Sequence, residues 1–197
     1  TSSSVLGPFH VMNSPARDFG ADLKQDFEGE VILVEGVVKD TQGNLLPGAK
    51  VDIWQTAPNG LYSSQDPEQA IESFHGIFTA DEEGRYAFTT VRPVSYTVPS
   101  DGPVGVLLDA TGRHPWRPSH LHYMVSAPGY RTLVTEVFPN DDPYLDQDTV
   151  FGVREDLVVQ YQTKAAETFP KTGFELSGKI RQAYSKIHFD AILKKDA

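Results

Sequence analysis

The feature that most constrains the fold is a series of short segments, each five to eight residues long and rich in β-branched and aromatic residues. Turn-forming sequences separate them, the clearest being Asp81-Glu82-Glu83-Gly84. Strands at this spacing are typical of a sandwich or barrel. The predicted strands are Val31–Val38, Ala49–Trp54, Gly76–Ala80, Arg85–Val91, His120–Ala127 and Leu133–Phe138.

The remaining elements give weaker signals. The weaker strand candidates are Leu157–Gln162 and His188–Leu193. Asp66–Glu72 is a candidate for a short helical turn with Asp66 as its cap, and the candidate short helices are Thr163–Thr168 and Ser177–Ser185. The predicted long loops are Thr1–Glu30 and Val98–Pro118. We therefore predict an all-β fold, a β-sandwich of mixed, mostly antiparallel strands with long loops and few short helices.

The length of 197 residues indicates a single domain. Within it we distinguish an N-terminal loop segment over residues 1–30, a β-sandwich core over residues 31–163 and a C-terminal extension over residues 164–197.

Composition excludes several classes of function. The net charge of −10 disfavours binding to nucleic acids or anionic membranes, and no apolar stretch approaches the roughly 20 residues of a membrane span. The chain has no cysteine, which excludes disulfides, iron–sulfur clusters, thiolate zinc sites and thiol nucleophiles. A reducing compartment fits, so we expect a cytoplasmic protein; because the chain begins at Thr1, a cleaved presequence is left open.

The most informative short motif is His120-Leu121-His122. Alternate residues of a strand point to the same face, so the two imidazoles would lie side by side. Such a pair forms half of a metal site. Two interpretations are open at this point: a ligand pair, or two ordinary histidines in the core or in solvent.

Further ligands would have to be Asp, Glu, Tyr or another His. The other histidines show no spacing that pairs with the first two, and most acidic residues lie in turns. Tyrosine is a candidate because a phenolate is a hard oxygen donor that suits a trivalent ion. Such an ion would deprotonate the phenol despite its ordinary pKa of about 10.

Several motifs together resemble the intradiol ring-cleavage dioxygenases. The matching stretches, over roughly residues 5–163, are Leu6-Gly7-Pro8-Phe9-His10, Val51-Asp52-Ile53-Trp54-Gln55, Tyr62, Val94-Ser95-Tyr96-Thr97-Val98-Pro99, Arg117-Pro118 and His120-Leu121-His122. The resemblance implies one non-haem Fe(III) per chain. It also implies that Tyr62, Tyr96, His120 and His122 are the metal ligands.

The family's chemistry suggests roles for individual residues. The resemblance implies that Tyr96 is the axial ligand that substrate displaces, opposite His122, and that the departing groups accept the substrate protons. Arg117 would stabilise charge that develops on the substrate; the alternative is a structural ion pair. The positions that resemble the ring pocket are Val5, Pro8, Phe9, Arg117, Val150 and Phe151, although each alone could be ordinary core.

The resemblance is strongest to hydroxyquinol 1,2-dioxygenases, through Gly112-Arg113-His114-Pro115-Trp116-Arg117-Pro118 and the stretch from Tyr144 to Val153. It implies cleavage of hydroxyquinol or a related catechol by O2 to a cis,cis-muconate-type product, with catechol or chlorocatechol as alternative substrates. A protocatechuate enzyme would need a cation for the carboxylate, which the sequence does not place.

Two departures from the family pattern stand out. Relatives carry a helical domain ahead of the Leu6–His10 stretch that supplies much of their dimer interface, so we expect a monomer or a homodimer with a non-standard interface. Glu136 stands where related enzymes typically have Gln or His.

A third interpretation belongs to another class. Gly36-Val37-Val38-Lys39-Asp40 followed by Pro47-Gly48-Ala49 also resembles prealbumin-like modules that only bind or connect. Such a module has no need of two tyrosines and a His-x-His motif in register.

Overall fold

Short strands dominate the computed structural model, which describes residues 1–24, 26–165 and 183–196. The strands are β1 (Ala16–Arg17), β2 (Val31–Asp40), β3 (Lys50–Trp54), β4 (His75–Thr79), β5 (Arg85–Val91), β6 (Tyr96–Thr97), β7 (Trp116–Arg117), β8 (Leu121–Ser126), β9 (Leu133–Pro139), β10 (Val158–Val159), β11 (Gln162–Lys164), β12 (Tyr184–His188) and β13 (Ala191–Leu193). The helical elements are α1 (Pro103–Ala110) and two 3-10 turns, Leu145–Gln147 and Glu155–Leu157.

The larger sheet has the strand order β1-β4-β3-β8-β9-β10. Its four central strands are antiparallel neighbours, and the two-residue strands β1 and β10 add in parallel at the edges. The register places Trp54 of β3 opposite His122 of β8, and His122 opposite Glu136 of β9. These three residues therefore share one face of the sheet.

The second sheet is organised around β2, the longest strand. On one side β2 pairs antiparallel with β5. On the other side it pairs in parallel with β12 over its first half and with β13 over its second half. The chain crosses over Gly36 at the junction, where the Phe189 N–H donates to the carbonyl of Glu35.

The hydrophobic core lies between the two sheets. Val51, Ile53 and Tyr123 contribute from the larger sheet, and Phe78 stacks on Phe88 of the second sheet with ring centroids 4.9 Å apart. Because side chains alternate along a strand, a residue next to a core residue points to the opposite face. Trp54 and His122 consequently lie on the outer face of the larger sheet.

The predicted fold class is confirmed, since the strands form two mixed sheets and a two-stranded antiparallel β6–β7 sheet, with mostly antiparallel pairs and little helix. All six clear strand predictions coincide with β2, β3, β4, β5, β8 and β9. The two weaker ones are each divided: Leu157–Gln162 covers β10 and the start of β11, and His188–Leu193 covers the end of β12 and all of β13.

The prediction of a continuous loop over Val98–Pro118 was wrong, because α1 and β7 lie within it. Helix α1 begins at Pro103, a residue favoured at the first helical position. Its burial pattern explains the error: Val106 and Leu107 are exposed, and only Gly105 and Leu108 are buried. Apolar residues on the exposed side conceal the periodicity that normally indicates a helix.

The short helical turn predicted at Asp66–Glu72 is present only as separate hydrogen-bonded turns, the first closed by the Gln69 N–H on the carbonyl of Asp66, and the segment forms no continuous helix. The Asp66 carboxylate accepts the N–H of Glu68 and so favours a turn over a helix. Of the helix predicted at Thr163–Thr168, the first two residues belong to β11 and residues 166–168 lie outside the described chain. Of Ser177–Ser185, the last two residues belong to β12 and residues 177–182 lie outside it.

The division of the chain into three segments of one domain stays a prediction. Among the described residues, no helix is both long and apolar enough to cross a membrane.

The junction at Gly36 gives a test of the fold. A Cβ at Gly36 would lie 1.8 Å from the carbonyl oxygen of Phe189, which is backbone and also accepts the Tyr86 hydroxyl. We expect Gly36→Ala to lower the free energy of unfolding by about 2–3 kcal/mol in urea denaturation. The control is Gly102→Ala, because no atom lies within 4 Å of a Cβ there. Equal stability of the two variants would contradict the strand junction.

Candidate metal centre

Three strands place the centre of the site on the outer face of the larger sheet. Trp54, His122 and Glu136 occupy adjacent positions on β3, β8 and β9. The Trp54 indole stacks on the His122 imidazole, with centroids 4.7 Å apart and planes 4° from parallel. This contact fixes the plane of the His122 ring.

His120 precedes β8, and its ring orientation is set by the backbone. The His120 Nδ1 lies 2.8 Å from the carbonyl oxygen of Pro118. A carbonyl only accepts, so Nδ1 carries the proton and the Nε2 lone pair is free. Nε2 faces Nε2 of His122 and the hydroxyl oxygen of Tyr62, each at 3.2 Å.

Two tyrosines complete the cluster. Tyr62 comes from the loop between β3 and β4 and is fully buried, while Tyr96 comes from β6 and is nearly so. Their rings meet edge to face with centroids 5.5 Å apart, and the ring of Tyr96 lies 5.6 Å from that of His120. The structure thus brings together all four residues that the sequence analysis singled out as metal ligands.

Burial determines the protonation states of these groups. It lowers the pKa of His120 to about 3, with a further contribution from the positive charge of Arg117, and it lowers the pKa of His122 well below its usual range. Both histidines are therefore neutral at pH 7. Burial also raises the pKa of Tyr62 well above its usual range, so a nearby cation is needed to make it a phenolate.

These donors fit a metal ion. Two ligands that each lie about 2.1 Å from one ion, at an angle of about 100°, are about 3.2 Å apart. That is the separation of the two Nε2 atoms, and of Nε2 of His120 from the Tyr62 oxygen. If both Nε2 atoms carry their lone pairs, the two neutral imidazoles repel unless a cation lies between them.

Beside these donors lies a buried network centred on Arg117. Strand β7 places Arg117 directly opposite Tyr96 of β6. The guanidinium donates from Nε and Nη2 to Asp148, at 3.0 and 3.2 Å, and from Nη1 and Nη2 to Glu136, at 2.8 and 3.1 Å. The fifth N–H, on Nη1, is directed at Nε2 of His120 at 3.2 Å. One guanidinium and two carboxylates leave the network with a net negative charge, which favours a cation nearby.

The N-terminal residues cover this face of the sheet. Phe9 stacks on Tyr62 with centroids 4.5 Å apart, and the His10 Nε2 lies 2.9 Å from the carboxylate of Asp52. A Cβ on Gly7, whose φ of +70° favours glycine, would lie 3.7 Å from Nε2 of His122. The backbone at Gly7 therefore passes directly over the nitrogen that faces the other donors.

The residues suggested for a ring pocket have different surroundings. Phe9 contacts the cluster through Tyr62, and the N–H of Val150 donates to Asp148. Phe151 is 67% exposed, and the guanidinium of Arg113 lies over its ring. Val5, at 38%, and Pro8 are both exposed. Their contact with a substrate stays a prediction.

Sequence reasoning assigned no role to Asp148, and it noted Glu136 only as a departure. A signal for Glu136 was available, since a charged residue within the apolar run Leu133–Phe138 has to find a buried partner. Nothing local marks Asp148, because its partner Arg117 is 31 residues away in the chain.

Comparison with known proteins agrees with this architecture. The family model described as Dioxygenase matches residues 5–192. The chain is 46% identical over 176 residues to the hydroxyquinol 1,2-dioxygenase of Rhizobium sp., which covers 88% of this chain and 60% of that protein. It is 41% identical over 165 residues to the catechol 1,2-dioxygenase of Candida albicans, which covers 82% of this chain and 54% of that protein.

Solved structures give the same result. The hydroxyquinol 1,2-dioxygenase of Pseudomonas putida superposes with a TM-score of 0.92 at 42% identity, over 100% of this chain and 67% of that one. The fold is therefore the one found in that hydroxyquinol 1,2-dioxygenase. The chain belongs to the family of intradiol dioxygenases that includes these hydroxyquinol and catechol enzymes, and the resemblance found in the sequence is confirmed. It spans about three fifths of the length of the Rhizobium relative.

The lowered pKa values of the two histidines predict how stability depends on pH. Below pH 6.5 the unfolded chain binds protons that the folded chain excludes, so this stability is complete above pH 6.5 and is lost as pH falls toward 3. We expect the free energy of unfolding of metal-free protein to fall by about 1–2 kcal/mol per histidine between pH 7 and pH 5.

The check is urea denaturation at both pH values. His120→Gln removes one of the two groups and should show a smaller fall than the wild type. An unchanged pH dependence in His120→Gln would contradict the assignment of a neutral buried imidazole.

Proposed function

We propose that this chain is the catalytic domain of a non-haem Fe(III) intradiol dioxygenase. The reaction is cleavage of hydroxyquinol, or a related catechol, between its two vicinal hydroxyls by O2, with a cis,cis-muconate-type product. The observation that carries the proposal is the buried convergence of the Tyr62 oxygen and two imidazole Nε2 atoms at 3.2 Å separations, in a chain of this family.

The proposed ligands of one iron per chain are Tyr62, Tyr96, His120 and His122. Two phenolates offset two of the three positive charges of Fe(III), and hard oxygen donors suit that ion. The two imidazoles are neutral because of their burial, so both can donate without first losing a proton. When bound, the iron supplies Lewis acidity toward the diol oxygens.

Tyr96 is the proposed proton acceptor for one hydroxyl of the substrate. Burial raises the pKa of Tyr96, and the positive charge of Arg117 opposes that increase. Tyr62 has greater burial, and the adjacent Tyr96 raises its pKa further. Tyr96 is also the less enclosed of the two phenols, 6% exposed against 0% for Tyr62, and this supports Tyr96 as the ligand that would be released and Tyr62 as the one that would stay.

Arg117 is the proposed stabiliser of negative charge on the substrate. Four of its N–H groups are donated to Glu136 and Asp148, which hold the guanidinium rigid. The remaining N–H is directed at Nε2 of His120, and it would be released to a substrate oxygen once a metal took the lone pair of that nitrogen. A rigid donor needs little reorganisation when charge develops.

The proposed substrates are a small aromatic diol and O2. Val5, Pro8, Phe9, Val150 and Phe151 are the proposed pocket residues, with Arg117 at the inner end. Hydroxyquinol is preferred because relatives with that name match at 46% and 42% identity, while catechol and chlorocatechol are the alternatives. Steady-state kinetics with each diol distinguishes them, and a higher kcat/KM for catechol would overturn the preference.

The setting of the enzyme is proposed as well. We propose a cytoplasmic enzyme, consistent with a chain that lacks cysteine. A monomer, or a homodimer with an interface unlike that of relatives, is the proposed oligomeric state.

The ligand assignment predicts the effect of removing one phenol oxygen. We expect Tyr62→Phe to lose tightly bound iron and to reduce turnover by more than about 100-fold, because the loss of a direct ligand exceeds the effect of losing an outer contact. Iron stoichiometry and the rate of O2 consumption measure both effects.

Tyr123→Phe is the matched control. Tyr123 is equally buried but lies on the core face beside Tyr86 and Phe189. The Tyr123→Phe variant should bind one iron per chain and keep the wild-type rate of turnover. Full iron and full turnover in Tyr62→Phe would show that the four-ligand assignment is wrong.

A further inference from the structure

One polar atom at the centre of the site lacks a hydrogen-bond partner. Nδ1 of His122 is buried, and no described residue bonds to it. The closest carboxylate oxygen recorded for it is Oε1 of Glu136 at 3.6 Å, about half an ångström beyond hydrogen-bond distance. Both side chains are fully buried, and the two residues are direct partners between β8 and β9.

The remaining bonds of Glu136 leave one position free on the carboxylate. Oε2 accepts from the Ser4 hydroxyl at 2.6 Å and from Nη2 of Arg117 at 3.1 Å. Oε1 accepts from Nη1 of Arg117 at 2.8 Å. A carboxylate has about four acceptor positions, so one remains on Oε1, the atom nearer His122.

We propose that Glu136 is a positioning residue that accepts the Nδ1–H of His122 and acts on the bound iron through that ring. This inference rests on the proposed function. A proton held on Nδ1 leaves the Nε2 lone pair for the metal, and the negative charge of the carboxylate makes the imidazole a stronger donor. His120 has the equivalent bond to the Pro118 carbonyl, so the two histidines share a tautomer but differ in the charge of their acceptor.

The position of Arg117 argues against Glu136 as a direct ligand. Oε1 of Glu136 lies 3.5 Å from Nε2 of His120, close enough for a shared ion. However, Nη1 of Arg117 lies 2.8 Å from that oxygen and 3.2 Å from that nitrogen. The guanidinium therefore lies between Oε1 of Glu136 and Nε2 of His120. The side of the histidines that faces the two tyrosines remains for the metal.

Asp148 provides a matched comparison for the charge of Glu136. It binds the same guanidinium through two N–H groups and is also buried, at 5% exposed against 0% for Glu136. Its other recorded partners are the backbone N–H groups of Val150 and Gly152, and no contact with His122 is recorded for it. A change that acts only through Arg117 should therefore appear in variants of either carboxylate.

The experiment compares Glu136→Gln with Asp148→Asn in the iron-loaded protein. For each variant we would measure iron stoichiometry, Fe(III) affinity by chelator competition and the Fe(III)/Fe(II) reduction potential. We expect Glu136→Gln to keep one iron, to bind Fe(III) about 10–100-fold more weakly and to have a raised potential. Asp148→Asn should change the affinity by less than about 3-fold.

Three outcomes would overturn the proposal. Equal changes of Fe(III) affinity and potential in both variants would mean that the effect passes through Arg117, and loss of all iron from folded Glu136→Gln would mean that Glu136 is itself a ligand. No change of affinity or potential in either variant would mean that Glu136 does not act on the iron. A wild-type protein that binds no iron would instead refute the proposed function.

Should Glu136→Gln fail to fold, nitrogen-15 NMR of wild type loaded with diamagnetic Ga(III) provides the test. A proton on Nδ1 of His122 with a strongly downfield resonance supports the proposal, and a deprotonated Nδ1 overturns it.

Discussion

The rest of the site depends on two neutral, buried imidazoles whose Nε2 atoms face each other across 3.2 Å. In the tautomers proposed for both rings the two nitrogens carry lone pairs, which repel until a cation lies between them. Each element of the site serves this pair: the Pro118 carbonyl orients one ring, Trp54 packs flat on the other, and Tyr62 adds an oxygen at the same distance. A preorganised set of donors lowers the cost of ordering ligands when metal binds.

Alternation along the strands allows one sheet to serve both packing and chemistry. On β8, Leu121 and Tyr123 belong to the core between the sheets, while His122 faces the opposite side. The outer face would be open to solvent, and the N-terminal residues cover it, with Phe9 on Tyr62 and the His10–Asp52 pair anchoring the chain. Stability and site geometry therefore depend on separate faces of the same strands.

The parts that could be predicted from sequence are those with a local signal. The β-branched runs located six strands, and the His-x-His spacing placed both imidazoles on one face. The resemblance to a family supplied the two tyrosines, whose contact with the histidines no local pattern could indicate. Contacts between residues that are distant in the chain could not be predicted. Glu136 lies beside His122 because of the β8–β9 register, and a loop brings Asp148 to Arg117. Helix α1 was missed because its apolar residues are largely exposed.

The charge balance around the donors bears on the proposed ligand set with two tyrosines. Arg117 is compensated twice, by Glu136 and by Asp148, so the surroundings of the donors are already negative before any phenol ionises. Two further negative charges on buried phenolates require a highly charged ion, which a divalent metal would offset less completely. The network thus favours a trivalent ion.

The most direct test of the account is the visible absorption spectrum of the iron-loaded protein, before and after addition of hydroxyquinol without oxygen. Tyrosinate bound to Fe(III) gives a broad red-brown charge-transfer band, and a chelating diol should shift it to longer wavelength. The account predicts a coloured protein whose band shifts with hydroxyquinol. A protein that stays colourless after loading with Fe(III) would contradict it and would favour a non-catalytic binding module.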